Sequence, residues 1–249
     1  MKASQQPPSP FLRRIGASIV AAVVFVLSSG AQDQIAQQVL SYTIRIDGAR
    51  DCSRSPGDAI CVRLKDGRLQ SCADAIHWTN CALPVKTFVR AIAFGHGQVV
   101  AVGGSYFDTP ASIITSRDGV RWTRCRIQTT SPLYGVAFGN DLFVAVGEAG
   151  AIFTSASGGN WTRRRSACTD VLLATVTFGN GRFVAGGESG TILTSTNALQ
   201  WTRTTLGPEI YVGHIAFTKG SFVVRHGVSV FSSVDALRWE RRPPVSGVE

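Results

Sequence analysis

A tryptophan closes one unit of this chain after another, at Trp78, Trp122, Trp161, Trp201 and Trp239, with steps of 44, 39, 40 and 38 residues. All five tryptophans of the sequence serve this period. The clearest unit, LYGVAFGNDLFVAVGEAGAIFTSASGGNWT, runs from Leu133 to Thr162, and near-copies precede and follow it. A fainter copy, LKDGRLQSCADAIHWT, ends just past Trp78. A repeat of about 40 residues built from short apolar runs and turn signals is the length of a four-stranded propeller blade, not of a helical solenoid pair. The expected fold is therefore all-β, a β-propeller of four-stranded antiparallel blades, five in number.

Each clear unit obeys one grammar. An apolar strand ends at Phe94, Phe138, Phe178 or Phe217, and a tight turn follows at His96-Gly97, Asn140-Asp141, Asn180-Gly181 or Lys219-Gly220. Asn-Gly and its relatives tolerate positive φ at both central positions, which matches the twist of a two-residue hairpin, so strands one and two pair antiparallel. Strand two reads QVVAVG, LFVAVG, RFVAGG or SFVVRH, and strand three IITS, IFTS, ILTS or VFSS. Apolar residues on both faces suit a sheet sandwiched between two others. After each clear tryptophan comes strand four, with an arginine two positions on at Arg124, Arg163, Arg203 and Arg241. Charge on an outer edge strand opposes edge-to-edge aggregation, and an acidic partner at this Arg-rich rim is the functional alternative.

Between strands three and four, Ser116, Asp118, Gly119 and Trp122 resemble the Asp-box, or BNR, repeat of sialidase-like propellers. Elsewhere the Asp position reads Asp74, Ser157, Asn197 and Asp235, and the Gly position is Ala in three units. A short polar side chain there can accept backbone N–H bonds inside the turn, and the tryptophan covers the hairpin. The resemblance thus implies scaffold and not a catalytic acid. The phrasing FVAVG…GTI.TS.DG..W also resembles photosystem II stability or assembly factor-like propellers over roughly residues 85–240. That resemblance implies fold and not role. Such relatives usually have more blades, so five units imply a smaller closed ring or an open array completed by a partner.

Residues 1–31 read as a signal peptide: an n-region ending in Arg13-Arg14, an apolar stretch from Ile15 to Leu27, and small residues at Ser29-Gly30-Ala31. A mainly apolar stretch of thirteen residues falls short of the roughly 20 that cross a bilayer, so cleavage leaves no stable membrane span and the expected location is secreted or periplasmic. Residues 32–40 read as a linker, 41–243 as the five-unit propeller and 244–249 as a tail. Removing Lys2, Arg13 and Arg14 from the formal charge of +9 leaves +6, without the long basic tracts that argue nucleic acid. Six cysteines, Cys52, Cys61, Cys72, Cys81, Cys125 and Cys168, form an even set behind an export signal, which argues disulfides. The expected pairs are Cys72–Cys81 across the hairpin before and after Trp78, Cys52–Cys61 beside it, and Cys125–Cys168 between neighbouring blades. With no C-x-x-C pair and no histidine at ligand spacing, neither a metal nor a cofactor is expected.

Ligand sites of propellers gather at the channel mouth, where the connections between strands two and three emerge. Those connections are 103–112, 147–150, 187–190 and 225–228. The first is the longest, since Phe94 to Trp122 spans 28 residues where the next two units span 23. Insertions on one face of a repeat array commonly mark the binding side. The candidate ligand-binding residues are accordingly Tyr106, Phe107, Asp108, Glu148, Glu188 and Arg225. The expected partner is a protein or glycan at this mouth, in a non-catalytic binding or scaffolding module. The alternative is a carbohydrate-active hydrolase using Glu148, Glu188 and Asp108, because paired carboxylates serve glycoside hydrolysis. No G-x-S-x-G elbow or phosphate loop is present, and no catalytic residue is assigned.

Overall fold

In the computed structural model, which describes residues 43–46, 60–72, 77–105, 109–166 and 170–242, the tryptophan period becomes five four-stranded antiparallel sheets, each built from consecutive strands. The first holds β1 (Thr43–Ile46), β2 (Ile60–Lys65), β3 (Arg68–Cys72) and β4 (Thr79–Asn80). The second holds β5 (Val89–Gly95), β6 (Gln98–Ser105), β7 (Thr109–Ser116) and β8 (Thr123–Arg124), and the third β9 (Leu133–Gly139), β10 (Leu142–Gly147), β11 (Ile152–Ser155) and β12 (Thr162–Arg164). The fourth holds β13 (Leu173–Gly179), β14 (Arg182–Gly187), β15 (Thr191–Ser195) and β16 (Thr202–Thr205), and the fifth β17 (Ile215–Thr218), β18 (Ser221–His226), β19 (Ser229–Ser233) and β20 (Glu240–Arg242). The leader, linker and tail lie outside the described residues.

The hairpins between first and second strands have the left-handed geometry their residues allow. His96 and Gly97 sit at φ 48° and 70°, Asn140 and Asp141 at 44° and 56°, Asn180 and Gly181 at 45° and 71°, and Lys219 and Gly220 at 49° and 76°. These turns also tie sheet to sheet. The Asn140 side-chain amide donates to the carbonyls of Gly181 and Thr196, and that of Asn180 to Gly220 and Val234. Just before each turn, glycine makes room for a ring: a Cβ at Gly95, Gly139 or Gly179 would overlap Phe138, Phe178 or Phe217 of the following sheet.

Apolar side chains of strands two and three leave both faces of the internal sheets and form four cores, each between consecutive sheets. Phe143, Phe153, Phe183 and Phe222 are at most 1% exposed. At about 25 cal/mol per Å2 of apolar area removed from water, such rings supply the main stabilisation of the array.

The turns before the tryptophans are closed by local hydrogen bonds. Asp118 Oδ1 accepts from the N–H groups of Val120 (2.9 Å) and Arg121 (2.7 Å), Asn197 Oδ1 from Leu199 and Gln200, and Asp235 Oδ1 from Leu237 and Arg238. Each indole N–H then donates to the carbonyl three residues earlier, at Gly119, Gly158, Ala198 or Ala236. The backbone N–H groups of Arg238 and then Leu237 hold the Asp235 carboxyl from its ordinary 3.8 down to about 2. A depressed folded-state pKa contributes stability that is present above the ordinary value and lost as pH falls through the lower one. Asp235→Asn, which keeps an acceptor oxygen, is therefore expected to flatten the acid side of the thermal-midpoint curve between about pH 4 and pH 2. An unchanged acid limb counts against the carboxylate's role in this turn.

The cysteines depart from expectation. Cys81 is not bridged to Cys72, because its thiol donates to the Gly119 carbonyl at 3.5 Å. Cys125 is likewise a thiol, donating to the Gly158 carbonyl at 3.4 Å. Each sits three residues after a tryptophan and docks on the following sheet's turn, so strand twist aims the sulfur at the next blade and not across its own hairpin. Burial pushes both thiols up from their ordinary pKa. Cys52 and Cys168 lie outside the described residues.

Candidate functional site

Connections between second and third strands, and those leading into each first strand, meet at one end of the propeller. There Gly147-Glu148-Ala149-Gly150 and Gly187-Glu188-Ser189-Gly190 fold alike, as short 3-10 turns with Ala149 and Ser189 both at φ 51°. Each is pinned on two sides. Glu148 N–H donates to Pro132 O (3.2 Å) and Gly150 N–H to Val171 O (2.7 Å), while Glu188 N–H donates to Leu172 O (3.1 Å) and Gly190 N–H to Ile210 O. Every such turn thus holds the entrance of its own sheet and of the next, which gives the glutamates a rigid base.

Position is repeated but environment is not. Glu188 Oε2 accepts from the Leu172 N–H at 3.3 Å. The Glu148 carboxylate stands near enough to the Tyr134 hydroxyl to raise its pKa, and the Glu148 Oε2 is buried with no hydrogen-bond partner. Tyr134 stands one residue into β9, and Arg90 occupies the equivalent place in β5. The Arg90 guanidinium lies 4.6 Å from the Tyr134 ring centroid and 5.4 Å from that of Phe88, and its Nε donates to the Gly104 carbonyl at 3.0 Å. Tyr211, 47% exposed, comes in from the segment before β17. Burial and then the Glu148 charge raise the Tyr134 pKa, with Arg90 opposing; burial and then the Glu188 charge raise that of Tyr211. Two phenols, two carboxylates and one guanidinium from four successive sheets and their connections thereby share one neighbourhood.

Of the residues expected here, Glu148 and Glu188 belong to this cluster. Tyr106, Phe107 and Asp108 lie outside the described residues. Arg225 does not sit in a connection: β18 continues through His226, and Arg225 pairs with Val230 inside the sheet, exposed on its surface. Arg90, Tyr134, Tyr211 and Phe88 were not among the expected residues. One signal for the first two was available: buried Val89, Leu133, Leu173 and Val212 mark one repeat position, and the residue after each reads Arg90, Tyr134, Ala174 and Gly213. A repeat position that varies in size and charge beside an unvarying apolar one is facing something other than core.

Among the described residues no group of three or more His, Cys, Asp or Glu could hold a metal ion, and no helix is long and apolar enough to cross a membrane. A cavity of about 210 Å3 between the first sheet and the connection that follows it, lined by Gly67, Leu69, Cys81, Leu83 and Thr87 among others, shares no residue with the cluster. At the rim, Arg203 donates to Thr191 Oγ1 (3.2 Å) and Arg241 to Ser229 Oγ (2.8 Å), so two of the four arginines are tied to third-strand hydroxyls.

No family model and no curated protein matches the sequence. Solved structures do match by shape. YCF48 bound to D1 peptide is 15% identical, with a TM-score of 0.56 over 74% of this chain and 64% of that one. Virginiamycin B lyase from Staphylococcus aureus is 13% identical, with a TM-score of 0.64 over 76% of this chain and 67% of that one. A chain of a nidogen/laminin complex is 12% identical, with a TM-score of 0.54 over 72% of each. This chain therefore spans just under two thirds of the YCF48 chain it matches. Likeness at such identities concerns fold alone: the protein is an all-β propeller of five four-stranded sheets, resembling in fold the photosystem II assembly factor YCF48.

Proposed function

We propose that the protein is an exported, non-catalytic binding module that receives a segment of another protein at the mouth formed by Arg90, Tyr134, Glu148, Glu188 and Tyr211. The observation that carries this reading is the buried Glu148 Oε2, which has no hydrogen-bond partner. A buried acceptor left unmet costs about 1–3 kcal/mol. A donor arriving on a ligand removes that cost, and tyrosines add contact area with little side-chain entropy to lose. Related architecture supports a protein ligand, since YCF48 has been seen with a D1 peptide and another match comes from a nidogen/laminin complex.

The test begins by selecting peptides from a displayed library on the purified protein, followed by calorimetric titration. Glu148→Gln is expected to weaken the selected peptide about 10- to 100-fold, and Tyr211→Ala about tenfold, with thermal midpoints held. Peptides that bind both variants as well as the parent overturn the reading. A glycan panel run in parallel decides for the hydrolase instead if the parent cleaves a sugar and Glu148→Gln binds it without cleavage.

A further inference from the structure

The ends of the array differ from its interior at matched register positions. On the face of strands two and three that meets the preceding sheet, the third sheet carries Phe143, Ala145 and Phe153 and the fourth Phe183, Ala185 and Leu193, all at most 1% exposed. Aligned on the residue six before each tryptophan, the first sheet carries Cys61, Arg63 and Gln70 instead. Arg63 Nε donates to Gln70 Oε1 (2.8 Å), Gln70 Nε2 to Asn80 Oδ1 (3.0 Å), and the guanidinium lies 4.1 Å from the Trp78 ring centroid. Arg63, Gln70 and Asn80 thus bond among themselves, where the third and fourth sheets have an apolar layer.

The opposite face of the fifth sheet keeps half-buried Val223 and Val230 where the third has Val144 and Ile152, but departs around them. Thr218 replaces the glycine that elsewhere admits the next sheet's phenylalanine, and Lys219 replaces the asparagine that elsewhere donates to the next turn. Arg225 replaces buried Val102, Val146 and Gly186. Among the described residues, four apolar cores join consecutive sheets and none joins the fifth to the first.

A propeller brings its last blade round to its first, so these faces border one seam. Register puts Arg63, Lys65 and Arg68 on one side, with Asp66 in the turn between the last two, and Arg225 and Arg242 against Glu240 on the other, with Lys219 in the turn before β18. Terminal repeats need a polar outer face for solubility, but that need is met by either sign of charge. Six cations against two carboxylates is a bias of sign, and pressing such faces together with so little counter-charge is unfavourable. We propose that the seam between the first and fifth sheets is an interaction surface for an acidic segment of a partner protein, built on residues other than Arg90, Tyr134, Glu148, Glu188 and Tyr211.

The probe is a fluorescein-labelled peptide of twelve glutamates, followed by anisotropy at low and moderate salt. Arg63→Glu/Arg225→Glu is expected to weaken it by about tenfold or more. The rim pair Arg124→Glu/Arg163→Glu, which changes net charge equally, is expected to cost about twofold at most. If the double variant loses its strand circular dichroism, Lys219→Glu/Arg225→Glu, both on exposed side chains, takes its place with the same expected loss. Equal weakening by seam and rim pairs, or no binding by the parent, overturns the proposal. So does a higher thermal midpoint for Arg63→Glu alone without loss of the peptide, because a new Arg225 pair would mean the two faces seal against each other.

Discussion

Gly187→Ala is expected to destabilise the protein by about 3–5 kcal/mol, from overpacking plus disrupted backbone hydrogen bonds. The reason is space, not backbone angle. Gly187 has φ −169°, extended backbone that any residue adopts, but a Cβ there would overlap the Leu172 carbonyl oxygen. That oxygen accepts from the Glu188 N–H, and the Gly187 carbonyl accepts from Val212 N–H at 2.9 Å. Three segments therefore meet where no methyl fits, and one of them carries the mouth glutamate. Urea unfolding of Gly187→Ala beside Gly181→Ala checks the argument. Gly181 has φ 71° and open space around it, so its alanine variant is expected to lose only about 1 kcal/mol from the left-handed backbone. Equal losses at the two positions would show that the close approach does not exist.

The second large effect is expected at Phe183→Ala, about 3–5 kcal/mol. Phe183 is fully buried in the core between the third and fourth sheets, with its ring centroid 4.8 Å from that of Phe178. Truncation leaves a cavity between two layers whose spacing is held elsewhere by the Asn140 amide and the seated Phe178 ring, so little collapse can fill it. Phe183→Leu, which keeps most of the volume, is expected to cost about 1 kcal/mol. Chemical denaturation followed by tryptophan fluorescence reads both. A loss below 1 kcal/mol for the alanine variant would mean that the sheets close up, and that they slide more freely than the register-matched staples imply.

The architecture was legible because its determinants are local. Phe138 followed by Asn140-Asp141 specifies a hairpin from the residues within it, and Asp118 closes its turn on N–H groups two and three residues away. The same locality explains where the fifth sheet's boundary was misplaced: RHGV looked like a connection, yet Arg225 and His226 still pair with Val230 and Ser229 and leave Gly227-Val228 to turn. Cysteine pairing failed for the opposite reason. Nearness of Cys72 and Cys81 along the chain says nothing of where a twisted strand points its sulfur, and Cys81 points to the next sheet.

The mouth was half legible. The duplicated glutamates were legible as one repeat position, but their unlike surroundings could not be read from loops as alike as GEAG and GESG. Leu172 gives its N–H to Glu188, whereas Pro132 at the matching place before β9 has none to give Glu148, which stands near Tyr134 where the fourth sheet has Ala174. By itself the sequence determined the period, the order of strands and the turns, since each depends on contacts within one 40-residue unit. Only the tertiary structure decided that Arg90, Tyr134, Glu148, Glu188 and Tyr211 gather in one place and that the outermost faces carry Arg63 and Arg225 where the matching positions of the third sheet hold buried alanine and valine. Both depend on the rotation from one sheet to the next, which is set by packing across four interfaces and by no single stretch of chain.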